Sequence, residues 1–328
     1  MGAVILDKDM KRFIINSNDA GQRVDKFITK ACPALPQSAL YKGIRTKNIK
    51  LNRKRCEIST RLSEGDVLEL YLPDDMLTAP DKDDFMSAPA KLDIVYEDEN
   101  IILIDKKNGL VVHEDDEQTA DTLANRLKHY LFDKGEYDPA NESSFAPALC
   151  NRLDRNTGGI VIAAKNAEAL RIMNDKIKNR ELDKRYLCIT AGIPPKKSDT
   201  IEAYLYKDSK TNTVTVSDRS TPANKKIITA YKVLDTKDGF ALVEVELLTG
   251  RTHQIRAHMA HIGCPLLGDG KYGDNRINRA AGVKTQALYS YKLSFTFTTD
   301  AGILSYLDGR EFDVNDVWLY GLWKTISN

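Results

Sequence analysis

The first part of the chain places apolar residues at helical spacing and then in short strand-like runs. Residues 21–73 are predicted to form one helix, a second helix that opens near Pro36, and a small hairpin with a turn at residues 52–54. Strands are predicted at residues 49–51 and 67–72. The inward positions of the two helices are Val24, Phe27, Ile28, Leu40 and Ile44. The pattern therefore predicts a small unit of two helices and a hairpin.

From residue 91 onward, apolar strand-like runs alternate with a few amphipathic helices. Strands are predicted at residues 94–96, 101–104, 160–164, 186–189, 227–233 and 242–247, and helices at 120–132, 167–179 and 252–262. Most connections are too short for crossovers between parallel strands. The chain is therefore predicted to be α+β, with a mixed, mainly antiparallel sheet, flanking helices and a small N-terminal αα-β unit.

Composition divides this chain of 328 residues into three predicted parts. The first is the unit at residues 1–75, the second a linker at 76–90, and the third a larger domain at 91–328. The linker is predicted because its prolines and acidic residues have little to bury. No apolar run approaches the roughly 18 residues that a membrane helix needs. The five cysteines are scattered without a Cys-x-x-Cys pair, so we expect a reduced cytoplasmic protein.

The formal net charge of +1 conceals two blocks of opposite sign. Residues 41–62 carry eight basic residues and one acidic residue, whereas residues 74–121 carry fifteen acidic residues and four lysines. Because screening hides charges beyond about 10 Å, a basic patch of this kind attracts polyanions. A solvated helix face is the alternative interpretation.

Asp154 stands between Arg152 and Arg155 on a glycine-rich turn just before an apolar strand. Neighbouring cations favour the ionised form of a carboxyl group, and a carboxylate held at a strand edge suits a nucleophile or a base. A turn-capping Asp that pairs with either arginine on the surface is the alternative, and these residues alone favour it.

A second candidate lies at the start of the helix predicted over residues 252–262. His253 and Arg256 are three residues apart and fall on one face, opposite Ile255 and Met259. An arginine there could bind a carboxylate or a phosphate, and since the helix dipole disfavours a cation at this end, we expect a compensating anion. A zinc site is disfavoured because the spacing of His253, His258 and His261 does not place them on one face.

The residues alone do not decide the role of two further motifs. Residues 268–273 (GDGKYG) match the letters of a dinucleotide-binding turn, but neither a clear strand nor an apolar helix flanks them, so a tight turn is predicted. Tyr186, after Lys184 and Arg185, is either a core aromatic residue or a platform on which a base stacks.

The N-terminal pattern resembles the alpha-L RNA-binding module, which occurs in a small-subunit ribosomal protein and in several RNA-modifying enzymes. Over about residues 91–300 the chain resembles the RluA-type family of pseudouridine synthases. Four stretches carry that resemblance: Tyr96 to Ile101 running on to Gly109-Leu110-Val111-Val112-His113; Arg152-Leu153-Asp154-Arg155 with Thr157 and Gly159; Lys184-Arg185-Tyr186; and Gly250-Arg251-Thr252-His253-Gln254-Ile255-Arg256.

The resemblance implies a role for three residues. Asp154 corresponds to the catalytic aspartate, Arg256 to the arginine that pairs with it, and Tyr186 to the tyrosine that packs on the target base. The RNA-binding residues that we expect are Arg152, Arg155, Arg251 and His253 near the site, and Lys42, Arg45, Lys47, Lys50, Arg53, Lys54 and Arg55 in the basic unit. The family usually has His where Asn151 stands and Ser where Gly158 stands, so RNA contacts near the target are expected to differ.

The implied reaction is isomerisation of uridine to pseudouridine in RNA. The base leaves C1′, turns and rejoins through C5, and the carboxylate either forms a ribose adduct or removes a ribose proton. The target uridine is expected to flip into a pocket. We expect no cofactor, no metal, no membrane contact and a monomer, with large-subunit ribosomal RNA as substrate and transfer RNA as the second choice.

Two other functions are compatible with the residues. One is a non-catalytic RNA-binding or ribosome-assembly factor, which has no chemical reason to keep Asp154, Tyr186 and Arg256 together. The other is a nucleoside hydrolase or glycosylase, which would release free uracil.

Overall fold

Two β-sheets organise the part of the chain that the computed structural model describes, which is residues 10–77, 85–113, 119–208, 210–211 and 213–326. The smaller sheet belongs to the first described range and the larger sheet to the rest. Within these ranges no helix is long and apolar enough to cross a membrane.

The smaller sheet and two helices enclose a core of their own. The elements are β1 (Lys11–Ile14), α1 (Val24–Ala31), α2 (Gln37–Arg45), β2 (Ile49–Leu51), β3 (Lys54–Arg55), β4 (Val67–Leu70) and the one-turn helix α3 (Asp74–Leu77). The strands are antiparallel in the order β1-β4-β2-β3. Phe27 of α1 packs edge-on against Phe13 of β1 with ring centroids 5.3 Å apart. The helix thus packs on the sheet through an aromatic contact.

The larger sheet has eleven strands and is covered by helices. Its elements are β5 (Ile94–Glu97), β6 (Ile101–Lys106), α4 (Leu123–Asp133), β7 (Ala148–Leu149), β8 (Gly158–Ala164), α5 (Ala167–Lys178), β9 (Leu182–Ala191), β10 (Ser198–Asp208), β11 (Thr213–Ser217), β12 (Lys225–Lys237), β13 (Phe240–Leu247), α6 (Gln254–His261), α7 (Asn275–Ala280), β14 (Leu288–Phe295), β15 (Glu311–Asp313) and α8 (Trp318–Thr325). The order is β11-β10-β12-β13-β9-β14-β8-β6-β5, with β15 beside β14 and β7 beside β8. Short 3₁₀ helices span Phe85–Ser87 and Gly302–Leu307.

The pairing confirms the predicted α+β class with a mainly antiparallel sheet. Among the described strands, β14 and β8 pair in parallel and every other pair is antiparallel. Since parallel neighbours start at the same edge, the loops that precede β8 and β14 lie side by side. That edge carries the residues of the candidate site.

The central strands β6 and β8 are buried along their whole length because helices cover both faces. Ile160 and Ile162 pack in the same cluster as Met173 of α5, whereas Val161 packs in the cluster of Leu127 of α4. Burial on both faces explains why these strands are continuous apolar runs without alternation.

The two units meet through polar groups. Asn18 accepts from the backbone N–H of Ala167 at 3.1 Å and donates to Glu142 at 2.8 Å. The hydroxyl of Ser144 donates to Asp19 at 2.5 Å. The loop between β1 and α1 is therefore attached to the start of α5 and to the segment before β7.

The predicted boundaries at residues 75 and 90, and the alpha-L assignment of the first unit, stay predictions. Residues 78–84 of the predicted linker lie outside the described residues, as do residues 1–9 of the first predicted part. At the far end of the predicted linker, Phe85 and Ala88 are buried, and Phe85 belongs to the cluster of α4.

Candidate active site

Asp154 lies in the loop between β7 and β8, and a hydrogen bond from Thr157 N–H to its carbonyl, at 3.0 Å, closes the turn. The loop ends in two glycines that let β8 approach β14 closely. A Cβ on Gly159 would lie 2.1 Å from the carbonyl oxygen of Ser290, and its φ is +113°. A Cβ on Gly158 would lie 2.5 Å from the ring of Tyr289. The ring of Tyr289 therefore leaves no space for the serine that the resemblance leads us to expect in place of Gly158.

The other departure also has a structural reason. The side-chain oxygen of Asn151 accepts from the backbone N–H of Ile162 at 2.7 Å, inside strand β8. Asn151 therefore fixes the start of the Asp154 loop to the sheet.

Lys106, the last residue of β6, also supports this loop, and no sequence motif points to it. The residue is 1% exposed, and its ammonium donates to the carbonyls of Leu110 at 2.8 Å and of Arg155 at 3.0 Å. Burial lowers the pKa of Lys106 to about 8, against the opposing charges of Asp154 and Asp105. A buried cation thus ties the residue after Asp154 to β6.

Arg256 of α6 joins Asp154 to a second carboxylate. Its Nη1 donates to Oδ2 of Asp154 at 2.9 Å, while its Nε and Nη2 donate to the two oxygens of Asp269 at 2.7 Å and 3.0 Å. Arg256 is 8% exposed and Asp269 is completely buried. Two carboxylates, those of Asp154 and Asp269, therefore supply the anion expected near the start of this helix.

Asp269 lies in the turn over residues 268–273, where the tight turn was predicted. Burial favours the neutral acid, yet the hydrogen bonds and charge of Arg256, with the N–H groups of Lys271 and Tyr272, lower the pKa of Asp269 below its ordinary value. Asp269 thus holds Arg256 as a fixed cation. The sequence offered no signal for this pairing because the two residues are thirteen apart and belong to different elements.

One oxygen of Asp154 stays open. Among the described residues, none donates a hydrogen bond to Oδ1, and the side chain is 29% exposed. The carboxylate is thus held through Oδ2 and presents Oδ1 to whatever enters the site. A fixed and partly exposed carboxylate can act as a nucleophile or as a base.

Tyr186 lies on β9 and is 6% exposed. The pKa of its phenol is raised to about 12, mainly by burial; a hydrogen bond with Ser290 opposes this shift, and the negative charge of Asp154 adds to it. The phenol is therefore neutral near pH 7 and lies close enough to Asp154 to be affected by its charge.

The other residues expected to bind RNA fall into two groups. Arg152, Arg155 and Arg251 are exposed, and His253 is half-buried next to Asp154. Of the basic residues in the first unit, Lys42 and Arg45 lie on α2, and the rest lie on or beside the β2–β3 hairpin: Lys47, Lys50, Arg53, Lys54 and Arg55. All of these are exposed except Lys50, whose ammonium lies 4.9 Å from the ring centre of Tyr71.

Helix α6 differs from the two-faced helix predicted from its sequence, because residues 254–259 are all buried. The reason is polar contact with β12: Gln254 donates to the carbonyl of Ile228 at 3.0 Å, and Nδ1 of His258 lies 2.9 Å from the hydroxyl of Thr229. His261 instead contacts Asp218 at 2.8 Å, so the histidines of this segment have separate partners.

Comparison with known proteins identifies the family. The family described as RNA pseudouridylate synthase matches residues 100–261, which include Asp154, Tyr186 and Arg256. An uncharacterised RNA pseudouridine synthase of Mycoplasma genitalium is 35% identical over 294 residues, covering 87% of this chain and 88% of that protein. The chain belongs to the RNA pseudouridine synthase family.

Two further similarities agree with this family. The ribosomal large subunit pseudouridine synthase C of Rickettsia bellii is 33% identical over 266 residues, covering 78% of this chain and 84% of that protein. The structure of human RNA pseudouridylate synthase domain containing 1 has a TM-score of 0.56 at 22% identity, covering 75% of this chain and 89% of that one. It shares the fold.

Proposed function

We propose that this protein converts specific uridines of large-subunit ribosomal RNA into pseudouridines, with Asp154 as its catalytic carboxylate. The family gives the reaction class, and the relative named as a large-subunit enzyme supports the choice of RNA. The observation that carries the assignment of Asp154 is that Arg256 occupies one of its oxygens and leaves the other open.

The chemistry requires the bond between N1 and C1′ to break and a bond between C5 and C1′ to form. Overall, N1 gains a proton and C5 loses one, so the RNA keeps its composition and neither oxidation nor phosphate activation is needed. The open oxygen of Asp154 either bonds to the ribose transiently or takes a ribose proton, and Arg256 keeps the carboxylate oriented in both cases. The neutral phenol and ring of Tyr186 form a surface on which the flipped base packs.

The basic residues of the first unit supply affinity for RNA through phosphates. Among the described residues, none of the seven expected cations on α2 and the hairpin forms an ion pair. Exposed cations that are not paired with any carboxylate of the described residues are available to displace counterions from RNA. This unit thus positions the RNA without reading its sequence, and we place the enzyme in the cytoplasm with its substrate.

The test is to map pseudouridines in ribosomal and transfer RNA from cells with the gene, without it, and with the Asp154→Asn variant. We expect sites in large-subunit RNA to disappear in the second and third strains. Loss of sites only in transfer RNA would overturn the choice of substrate. Release of free uracil from RNA by the purified protein would indicate a glycosylase, and unchanged maps would indicate a non-catalytic factor.

A further inference from the structure

The hydroxyl of Tyr272 connects the β10–β11 hairpin to the ring of His253. Val214 N–H donates to this hydroxyl at 3.1 Å, and the hydroxyl oxygen lies 2.8 Å from Nδ1 of His253. On the opposite side of the ring, Nε2 lies 3.8 Å from Oδ2 of Asp154. His253 therefore lies between a fixed hydroxyl and the carboxylate of the site.

The backbone of His253 is strained where it enters α6. Its φ is +54°, in the left-handed region that residues other than glycine rarely adopt. Such a conformation persists where the surrounding contacts determine it, and it occurs preferentially at functional sites. This strain is a second observation, independent of the ring contacts, that the placement of His253 matters.

The direction of the hydrogen bonds follows from the groups present. Since the hydroxyl of Tyr272 accepts from Val214 N–H, its own proton is available for Nδ1 of His253. A neutral ring that accepts at Nδ1 carries its only proton at Nε2, which faces Asp154. The other tautomer would direct a lone pair at a carboxylate oxygen, and two acceptors repel each other.

Both groups keep these protonation states near neutral pH. Burial lowers the pKa of His253; the cations of Arg256 and Lys271 also lower it, and the carboxylates of Asp154 and Asp269 oppose them. Burial raises the pKa of Tyr272, so the phenol retains its proton. The ring of Tyr272 also lies under Arg256, with the guanidinium carbon 5.2 Å from the ring centre.

We propose that Tyr272 and His253 are positioning residues that orient Asp154 for isomerisation. Tyr272 sets the tautomer of His253, and the Nε2–H group of His253 stabilises the oxygen that Arg256 also binds. Oδ1 then stays the reactive oxygen. The inference rests on the proposed role of Asp154, but its first test does not need a substrate.

In that test, nitrogen and proton NMR of the full-length protein near pH 7.5 determines which ring nitrogen of His253 carries the proton. The five histidines are assigned by single substitution. We expect the Nε2–H form in the wild type and a mixture of tautomers in Tyr272→Phe. An Nδ1–H ring in the wild type would overturn the proposal even if the enzyme were fully active.

The second test is the single-turnover rate of pseudouridine formation as a function of pH, together with RNA affinity. Tyr272→Phe keeps the ring that packs on Arg256 and loses only the hydroxyl, so we expect about a ten-fold slower rate with unchanged affinity. Tyr306→Phe is the matched control, because it removes a phenol hydroxyl that bonds Asp98 outside the site.

His253→Gln and His253→Ala separate positioning from packing. A glutamine supplies a neutral N–H in place of Nε2, so we expect it to retain more activity than alanine. A glutamine side chain does not titrate. Any fall in the single-turnover rate at low pH that is caused by protonation of His253 should therefore be absent from His253→Gln. A glutamine variant as slow as alanine with the wild-type pH profile would overturn the proposal, as would a Tyr272→Phe variant with the wild-type rate and tautomer.

Discussion

Arg256 binds a single oxygen of Asp154, through Nη1 at 2.9 Å, and donates from Nε and Nη2 to the two oxygens of Asp269. A bidentate pair with Asp154 would have occupied both of its oxygens and left neither open for the reaction that we propose. Because Asp269 takes the bidentate position, Arg256 orients Asp154 without blocking it.

Asp154→Asn should abolish isomerisation while leaving RNA binding nearly intact. An amide oxygen still accepts from Arg256, but a neutral amide is neither a nucleophile nor a base of comparable strength. We expect RNA affinity to change by less than about 1 kcal/mol, the scale of one hydrogen bond. Pseudouridine formation and affinity are measured on the same transcript. Turnover by a preparation that mass spectrometry shows to be free of deamidated protein would contradict the assignment.

Arg256→Met should reduce both activity and stability, for two separate reasons. Asp154 loses its orientation, and the buried carboxylate of Asp269 loses its cation, which costs about 3–5 kcal/mol of unfolding free energy. Adding Asp269→Asn removes the unpaired charge. The double variant should therefore recover much of the stability and none of the activity. Recovery of activity in the double variant would show that Arg256 acts only on the fold.

The pH dependence of the Arg256→Met defect has a definite sign. In the wild type the pKa of Asp269 is lowered, so its contribution to stability is complete above the ordinary pKa near 3.8 and declines as pH falls through the folded value. Without Arg256, burial raises the pKa of Asp269, and the folded variant takes up a proton more readily than the unfolded chain. The difference in unfolding free energy between wild type and variant should shrink as pH is lowered. Urea unfolding at several pH values measures it.

Some of this arrangement could be predicted from sequence and some could not. The apolar runs of β6 and β8 revealed buried strands, and a cation at the start of α6 indicated a compensating anion. The identity of that anion depended on a turn whose letters, Gly268 to Gly273, carry no sign that Asp269 is buried. Lys106 was missed because a lysine at the end of a strand usually reaches solvent, whereas here backbone carbonyls satisfy its ammonium.

Lys106 should impose an alkaline limit on activity. Below its pKa of about 8 the ammonium donates to three carbonyls and places a positive charge beneath the Asp154 loop. As pH rises through that value, one donor and the charge are lost, so the single-turnover rate should fall. Lys106→Met should be slower throughout and lack this limb. A wild-type rate that stays flat to pH 9.5 would contradict the role of the charge.

Gly158 and Tyr289 should be energetically coupled. A Cβ at Gly158 meets the Tyr289 ring at 2.5 Å, so Gly158→Ala should cost about 1–3 kcal/mol of stability through overpacking. In a Tyr289→Leu background the same change should cost much less, and in a Tyr289→Phe background it should cost the same, because the ring remains. Equal costs in all three backgrounds would show that Tyr289 does not determine the glycine.

We expect the charge of Arg53 to strengthen RNA binding and its left-handed backbone conformation to lower the stability of the protein. It occupies the second position of the two-residue turn between β2 and β3, with φ of +65°, where glycine is preferred. Arg53→Gly should therefore stabilise the protein by up to about 1 kcal/mol, because glycine relieves the left-handed strain. The same change should weaken binding to structured RNA and lower the salt dependence of the affinity by about one phosphate contact.

Arg53→Gln is the matched control, since it removes the charge but keeps the strain: it should bind RNA as weakly as the glycine variant without its gain in stability. Thermal unfolding and RNA titrations at several salt concentrations measure both effects. If Arg53→Gly bound RNA with the wild-type affinity and salt slope, the hairpin would be only a solvated surface, and the RNA would be held by the domain that carries Asp154.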